Sequence, residues 1–243
     1  MSQAIQCSFA RYEKKYLLTP AQYHALQIGM APYMDADEHG QYTICNIYYD
    51  TPDFQLIRTS LEKPVYKEKL RLRSYGVPKE DSKVFVEIKK KFDGVVYKRR
   101  TVMVPGEAAA YLDGTGRPRK EDQICREIDW FLQTYPLEPR AFIAYDRSAL
   151  AGRENSELRV TFDTNLRWRD TDLDLRRGDH GQLLLPNTQI LMEVKIPGAA
   201  PLWMSRLFSE NGVFGTSFSK YGYCYQTCLS GQREQRKAVA HCA

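Results

Sequence analysis

A short charged unit recurs along the chain: a glutamate followed two residues later by a lysine. The three copies are Glu13/Lys15, Glu87/Lys89 and Glu193/Lys195. Each copy lies where charged and apolar residues alternate, so both members of the unit point to one face of a β-strand. Carboxylates can hold a divalent metal ion, and lysines can neutralise phosphate oxygens. The unit therefore predicts a surface suited to a polyphosphate and its metal ion.

Most other cations on these alternating faces are arginines, whose guanidinium groups bind phosphate oxygens in a bidentate manner. In the segment 67–73 the cations occupy every second position, opposite Leu70 and Leu72. Those cations are Lys67, Lys69, Arg71 and Arg73. Arg147 and Arg159 occupy the charged faces of two later segments. Together these residues form a basic surface with a few carboxylates.

Two orientations of such strands are open. The apolar faces could cover a core while the charged faces meet water, as in many antiparallel sheets. Alternatively, the apolar faces pack outward beneath helices and the charged faces line a tunnel. The recurrence of the glutamate–lysine unit and the predominance of arginine favour the tunnel.

The elements that must position these residues are mostly strands. Period-two alternation predicts eight strands: Arg11–Leu17, Tyr42–Tyr49, Tyr66–Tyr75, Lys83–Lys90, Val95–Val104, Phe142–Ala149, Leu158–Thr164 and Leu184–Pro197. Thr19, Pro20 and Gln22 form a capping-box start for a helix that runs to about Met30. The other predicted helices are Pro52–Ser60, Gly106–Leu112, Glu121–Tyr135, Pro201–Asn211 and one that begins near Phe218. Many strands with few helices indicate an antiparallel sheet, closed into a barrel or packed as a sandwich.

The composition limits the class of protein. The 243 residues are 43% hydrophobic and 27% charged, which excludes a largely disordered or collagen-like chain. A formal net charge of +5 is compatible with an anionic partner.

The sequence has no run of about 18 apolar residues for a membrane span and no secretory signal pattern. Six scattered cysteines without a zinc pattern indicate reduced thiols in the cytoplasm. We expect one domain over 1–230 and a flexible tail over 231–243.

The usual nucleotide and nucleophile motifs are missing. The sequence has no Walker A pattern, and Gly114–Gly116 lacks the spacing of a dinucleotide loop. No Ser-His-Asp or Cys-His set stands out for covalent catalysis. A bound nucleotide would therefore be held by its triphosphate. An aromatic ring could stack on the base, but the sequence does not identify it among 16 tyrosines and 10 phenylalanines.

The charged segments together resemble the VTC domain, the polyphosphate polymerase domain of the vacuolar transporter chaperone family. That family belongs to the CYTH, or triphosphate tunnel metalloenzyme, superfamily. The matching segments, in order, are RYEKKYLL at Arg11–Leu18, YYDT at Tyr48–Thr51, KEKLRLRSYG at Lys67–Gly76, VEIKKK at Val86–Lys91, AYDRSA at Ala144–Ala149, LRVTFD at Leu158–Asp163, LMEVKIPG at Leu191–Gly198 and FSKYGYC at Phe218–Cys224. The resemblance implies an α+β, mainly antiparallel fold, in which an eight-stranded tunnel-like β-barrel is flanked by helices.

The resemblance also implies an activity and a set of site residues. The activity is transfer of the ATP γ-phosphoryl group to a growing inorganic polyphosphate chain, with Mn²⁺ or Mg²⁺. The residues that match the basic catalytic ligands are Lys15, Arg71, Arg73, Lys89, Arg147, Arg159 and Lys220. Further substrate-binding candidates are Lys69, Lys98, Lys195 and Ser219. Glu193 matches the metal-binding carboxylate, while Glu13 and Glu87 are placed either to assist the metal or to orient the lysines.

One departure from the superfamily separates the alternatives. Hydrolytic members begin with a Glu-x-Glu-x-Lys signature, and Arg11 occupies the first glutamate position here. This favours a polymerase over a triphosphatase.

A non-enzymatic polyanion-binding module is the third alternative. The carboxylates on the charged faces argue against nucleic acid, because they would repel its backbone. The expected ligands are therefore ATP, triphosphate and polyphosphate. We expect no transmembrane segment in this chain, and a membrane-protein partner is left open.

Overall fold

The computed structural model describes residues 11–93 and 95–231, without the side chains of Arg11, Tyr12 and His39. Apart from Gly231, the tail predicted at 231–243 lies outside the described residues. The side chain of Arg11, which carries the departure from the hydrolytic signature, also lies outside them.

One mainly antiparallel sheet organises the described chain. Its strands are β1 (Arg11–Leu18), β2 (Met34–Asp50), β3 (Tyr66–Tyr75), β4 (Val84–Phe92), β5 (Val95–Met103), β6 (Glu138–Gly152), β7 (Arg159–Arg169), β8 (Gln182–Leu183) and β9 (Ile190–Pro197). The strand order is β1-β9-β7-β6-β2-β3-β4-β5, and the short β8 pairs with β7. The pairs of β1 with β9, β2 with β3, β3 with β4, β4 with β5 and β7 with β9 are antiparallel. The predicted α+β, mainly antiparallel class is confirmed.

The helices lie close to their predicted positions. They are α1 (Pro20–Met30), α2 (Gln55–Leu61), α3 (Pro105–Leu112), α4 (Gln123–Thr134), α5 (Leu202–Glu210) and α6 (Lys220–Cys224). The capping box forms as expected, because the Thr19 hydroxyl accepts from the Gln22 backbone N–H and the Gln22 side chain accepts from the Thr19 N–H. α4 begins two residues later than predicted because Asp122 caps it, accepting from two backbone N–H groups.

Four strand predictions were wrong in extent. β6 covers Glu138–Gly152 rather than Phe142–Ala149, and β7 covers Arg159–Arg169 rather than Leu158–Thr164. β2 begins at Met34 rather than Tyr42, and its first part runs through the charged stretch 35–40. That stretch has no period-two alternation, so its strand character comes from backbone pairing rather than from side-chain pattern. β9 begins at Ile190 rather than Leu184. Pro186 interrupts the earlier segment with a turn, in which the Gln189 N–H donates to the Pro186 carbonyl.

The described chain forms two compact units. Unit 1 comprises residues 11–42, 146–166 and 185–218, and unit 2 comprises 43–145, 167–184 and 219–231. β2, β6 and β7 each contribute residues to both units.

Within each unit, apolar strand faces pack beneath helices. In unit 2, Leu70, Val86 and Ile88 of β3 and β4 share a core with α3 and α4, including Phe131, which is fully buried. In unit 1, the apolar faces of β1, β7 and β9 share a core with α1 and α5. The charged faces of these strands therefore point away from α1, α3, α4 and α5, as the tunnel orientation requires.

Candidate functional site

A single buried carboxylate organises the cations of unit 2. Glu87 of β4 stands opposite Arg71 of β3 and is 1% exposed. Its Oε2 lies 2.7 Å from Nε and 2.6 Å from Nη2 of Arg71, and 3.8 Å from Nη1 of Arg73. Its Oε1 lies 2.9 Å from Nζ of Lys98. Burial alone would raise the pKa of Glu87, but Arg71, Arg73 and Lys98 outweigh it and lower the pKa to about 2. Glu87 is therefore ionised at neutral pH.

Lys98 is the cation of this cluster that titrates closest to neutrality. Burial disfavours its charged form, Glu87 favours that form, and Arg73 and Arg71 oppose it. The net result lowers the pKa of Lys98 to about 8. The fraction of Lys98 that carries charge therefore changes between neutral and mildly alkaline pH.

Three neutral side chains hold the two arginines in place. The Arg71 guanidinium donates to the Tyr48 hydroxyl at 3.4 Å. Arg73 donates from Nε to Oδ1 of Asn46 at 2.8 Å and from Nη2 to the Tyr145 hydroxyl at 3.3 Å. Local sequence patterns assign no role to these side chains, because it is the strand register that brings two of them to the arginines. Tyr48 pairs with Arg71 and Asn46 pairs with Arg73 across β2 and β3.

The start of α6 adds a buried lysine to unit 2. Ser219 caps this helix by accepting from the Gly222 N–H, and Nζ of Lys69 donates to the Ser219 hydroxyl at 3.1 Å. Lys220 is 8% exposed, and its ammonium lies 4.4 Å from the ring centroid of Tyr145. The late motif thus contacts β3 through Ser219 and β6 through Lys220.

Three lysines stand in one row across β3, β4 and β5. Lys89 pairs with Lys69 on one side and with Lys98 on the other. Like charges directly opposite one another in a sheet are destabilising. A polyanion lying along the row would offset that cost, so the arrangement is suited to a chain of phosphates.

A second charged cluster lies in unit 1. Nζ of Lys15 lies 3.6 Å from Oε1 of both Glu13 and Glu193, and it donates to the Phe218 carbonyl at 3.0 Å. Nη2 of Arg147 lies 3.6 Å from Oε2 of Glu193. Three ion pairs therefore link four predicted site residues: Glu13 with Lys15, Lys15 with Glu193, and Glu193 with Arg147.

Arg147 is fixed by a carboxylate that received no role in the sequence analysis. It donates from Nε and Nη2 to the two carboxylate oxygens of Asp163, at 2.6 and 2.7 Å. Asp163 is fully buried, so this bidentate pair orients the guanidinium firmly. Asp163 lies on the same face of its strand as Arg159, but alternation alone does not reveal its partner.

Arg159 and Lys195 occupy a more exposed part of unit 1. Arg159 pairs in register with Lys195, which pairs in turn with Glu13. The Arg159 side chain is 46% exposed and forms an ion pair with Asp37 of β2. Asp37 lies in the strand segment that the sequence did not predict.

The carboxylates of unit 1 fit a hard divalent cation better than Glu87 does. Glu13 and Glu193 both approach the Lys15 ammonium, so their oxygens converge on one positive charge. Magnesium is commonly bound by one or two carboxylates, with phosphate oxygens and water completing its shell. Within the described part of the chain, no group of three His, Cys, Asp or Glu residues forms a complete protein cage. Glu87 instead faces three cations.

The VTC domain family matches residues 10–229. The chain belongs to this family. No curated protein sequence matches it. Among solved structures, this VTC domain is similar to a candidate adenylate cyclase from Bacillus halodurans, at a TM-score of 0.53 and 14% identity over 85% of this chain and 92% of that one. It is also similar to HpAC1 from Hippeastrum, a candidate adenylyl cyclase described as having a dominant triphosphatase activity. That match has a TM-score of 0.53 and 15% identity over 88% of this chain and 94% of HpAC1.

These comparisons confirm the fold expected from the resemblance. The VTC domain has the triphosphate tunnel fold of the CYTH-like proteins. None of its described helices is long and apolar enough to cross a membrane.

Proposed function

We propose that this VTC domain is a polyphosphate polymerase, which transfers the γ-phosphoryl group of ATP to inorganic polyphosphate with the help of Mn²⁺ or Mg²⁺. The observation that carries the proposal is the array of Arg71, Arg73 and Lys98 around the buried carboxylate of Glu87. Several cations fixed by one ionised carboxylate form a preorganised binding surface for phosphate oxygens. The family match over 10–229 supports the same conclusion and a single catalytic domain over 1–230.

In this reaction the side chains have two tasks, which are to position the phosphate groups and to neutralise their charge. Phosphoryl transfer needs the acceptor and leaving oxygens in line and the phosphoryl charge neutralised. A terminal oxygen of polyphosphate forms the new bond to the γ-phosphorus while the bond to the β-phosphate oxygen breaks, releasing ADP. Arg71 and Arg73, held by Glu87, Tyr48 and Asn46, bind phosphate oxygens without reorganising. The acceptor is itself an anion, so the reaction requires no protein nucleophile.

The roles in unit 1 follow from its charges. Glu193 and Glu13 would hold the divalent cation, which would supply positive charge to neutralise the phosphate groups. Lys15 and Arg147 supply further positive charge beside Glu193. Lys89, Lys69 and Lys220 of unit 2 bind phosphate groups, with Ser219 as a hydroxyl partner. Arg159 and Lys195, the more exposed pair of unit 1, are further phosphate-binding candidates.

A triphosphatase is the second candidate. The activity described for HpAC1, which shares the fold, favours it. The same cations would hold inorganic triphosphate or a nucleoside triphosphate, and water would replace polyphosphate as the acceptor. A cytoplasmic location agrees with both candidates, since Cys45, Cys125, Cys224 and Cys228 are free thiols.

One incubation separates the candidates. Purified protein is mixed with ATP and Mn²⁺, and the products are resolved by length on a gel. A metal-dependent polyphosphate ladder with ADP release is expected. Orthophosphate without chains would establish a triphosphatase. Tight binding of triphosphate without turnover would leave a polyphosphate-binding module.

A further inference from the structure

Two aromatic rings and a guanidinium meet at one end of the β3–β4–β5 strands in unit 2. The Arg100 guanidinium carbon lies 4.7 Å from the ring centroid of Phe85. The ring of Tyr75 packs edge-on against Phe85, with centroids 5.6 Å apart and an interplanar angle of 82°. The Tyr75 residue is 50% exposed. We call Tyr75, Phe85 and Arg100 the aromatic platform.

The platform lies beside the phosphate-binding cations and on their face of the sheet. Phe85 pairs directly with Arg73 across β3 and β4, and Glu87 follows two residues later on the same face. Arg100 pairs with Glu87 across β4 and β5. Arg73, which is 6% exposed, is thus the cross-strand neighbour of a ring at the edge of the cluster.

The chemistry of the platform suits a flat, neutral, π-rich group. Nucleobases stack on aromatic side chains and on arginine guanidinium planes. Arg100 already lies over the Phe85 ring in a cation–π contact. Stacking of this kind tolerates different bases, because every base has a π-face.

We propose that the platform of Tyr75, Phe85 and Arg100 is the base-binding subsite of a nucleoside triphosphate whose phosphates are bound by the Arg71–Arg73–Glu87–Lys98 cluster. The inference rests on the proposed function, because it assumes that the cluster binds a triphosphate. The subsite makes the nucleotide, rather than inorganic triphosphate, the preferred phosphoryl donor. We expect the loss of the base to change the affinity for the ligand more than the replacement of one base by another.

The test compares two triphosphate ligands, one with a nucleoside and one without. Affinities for the β,γ-imido analogue of ATP and for inorganic triphosphate are measured by calorimetry, with Mg²⁺, for the wild-type chain and Phe85→Ala. A stacked base contributes enough that the variant should bind the ATP analogue about tenfold more weakly. Its affinity for inorganic triphosphate should be unchanged. Phe85→Tyr keeps the ring face and should restore binding of the ATP analogue.

Phe92→Ala is the matched control. Phe92 lies on the same strand but at its other end and on its opposite face, and it is 56% exposed. This variant should bind both ligands as the wild type does. Equal affinity of Phe85→Ala and wild type for the ATP analogue would overturn the subsite, as would an equal loss for both ligands. Failure of the wild-type chain to bind either ligand would instead overturn the proposed function, and the subsite with it.

Discussion

Glu87 shows how one residue can make a cluster of cations sensitive to acid. Its folded-state pKa of about 2 lies below the ordinary value of 4.5, so its ionised form stabilises the folded protein above about pH 4.5. That stabilisation, roughly 3 kcal/mol at pH 7, is lost as the pH falls from 4.5 towards 2. Glu87→Gln should therefore be destabilised at pH 7, and its difference from the wild type should shrink towards pH 2 in urea unfolding.

The control for this prediction is an exposed carboxylate. Glu80 forms an ion pair with Arg176 but is 78% exposed, so Glu80→Gln should change the free energy of unfolding little at any pH. A Glu87→Gln variant as stable as the wild type at pH 7 would contradict the role given to Glu87.

Lys98 predicts a pH dependence of ligand binding. Its pKa of about 8 means that it is mostly charged at pH 7 and mostly neutral at pH 9. The affinity for inorganic triphosphate should therefore fall as the pH rises through about 8. Lys98→Arg stays charged throughout this range. Titration calorimetry at several pH values should show the fall in the wild type and a flatter profile in the variant; identical profiles would refute the prediction.

Glu193 is the residue on which the metal assignment depends most. Glu193→Gln keeps the shape of the side chain but removes a charged oxygen ligand, so Mn²⁺ affinity should drop by about tenfold or more. Metal-dependent turnover should be lost while the unfolding midpoint stays close to that of the wild type. Mn²⁺ binding can be followed directly by electron paramagnetic resonance. Full Mn²⁺ affinity in the variant would remove Glu193 from the metal site.

At the scale of elements, Asp50 connects two helices of unit 2. It is fully buried and accepts from the backbone N–H groups of Leu56 and Ile57 at the start of α2, at 2.9 and 3.0 Å. It also accepts from the Tyr221 hydroxyl in α6 at 3.0 Å. Burial raises the pKa of Asp50 despite these bonds. α6 begins with Lys220, so the same carboxylate helps to position that lysine.

Tyr221→Phe tests this connection without disturbing the stacking of the ring on Tyr48, whose centroid lies 4.6 Å away. Loss of a buried hydrogen bond to a carboxylate should lower the free energy of unfolding by about 2 kcal/mol. Chemical unfolding measures the change. Tyr97→Phe provides the control, because Tyr97 is 52% exposed, and it should remain within about 0.5 kcal/mol of the wild type. Equal stability of the two variants would argue against the connection.

The sequence predicts elements better than it predicts their partners. β3 has its predicted bounds, Tyr66–Tyr75, because strict alternation distinguishes its two faces. The charged face of β4 was also predicted, but the pairing of Arg71 with Glu87 depends on strand register. Register arises from tertiary packing and turn geometry, which local alternation does not encode. Asp37 was missed for a related reason, because its stretch of β2 has no alternation.

At the scale of the whole molecule, carboxylates accompany the cations in both units. Glu87 forms ion pairs with cations of unit 2. In unit 1 the carboxylates that form such pairs are Glu13, Glu193 and Asp163. A nucleic acid held mainly by phosphate contacts would be repelled by these acids. We therefore expect excess single-stranded DNA to leave the affinity for inorganic triphosphate unchanged, whereas long-chain polyphosphate should compete. A competition assay with labelled triphosphate measures both, and displacement by DNA would favour a general polyanion-binding module.

The pairing of β1 with β9 has a consequence for how the protein is made. Arg11 pairs with Pro197, so the first described strand meets its neighbour only after most of the chain has been synthesised. Contacts that span so much sequence slow folding, because the intervening chain must be closed first. Until β9 has been synthesised, the apolar face of β1, including Tyr16 and Leu18, lacks the β9 side chains that it packs against in the folded core. The nascent chain is therefore prone to aggregate during elongation. We expect chaperones to bind it most just before β9 leaves the ribosome.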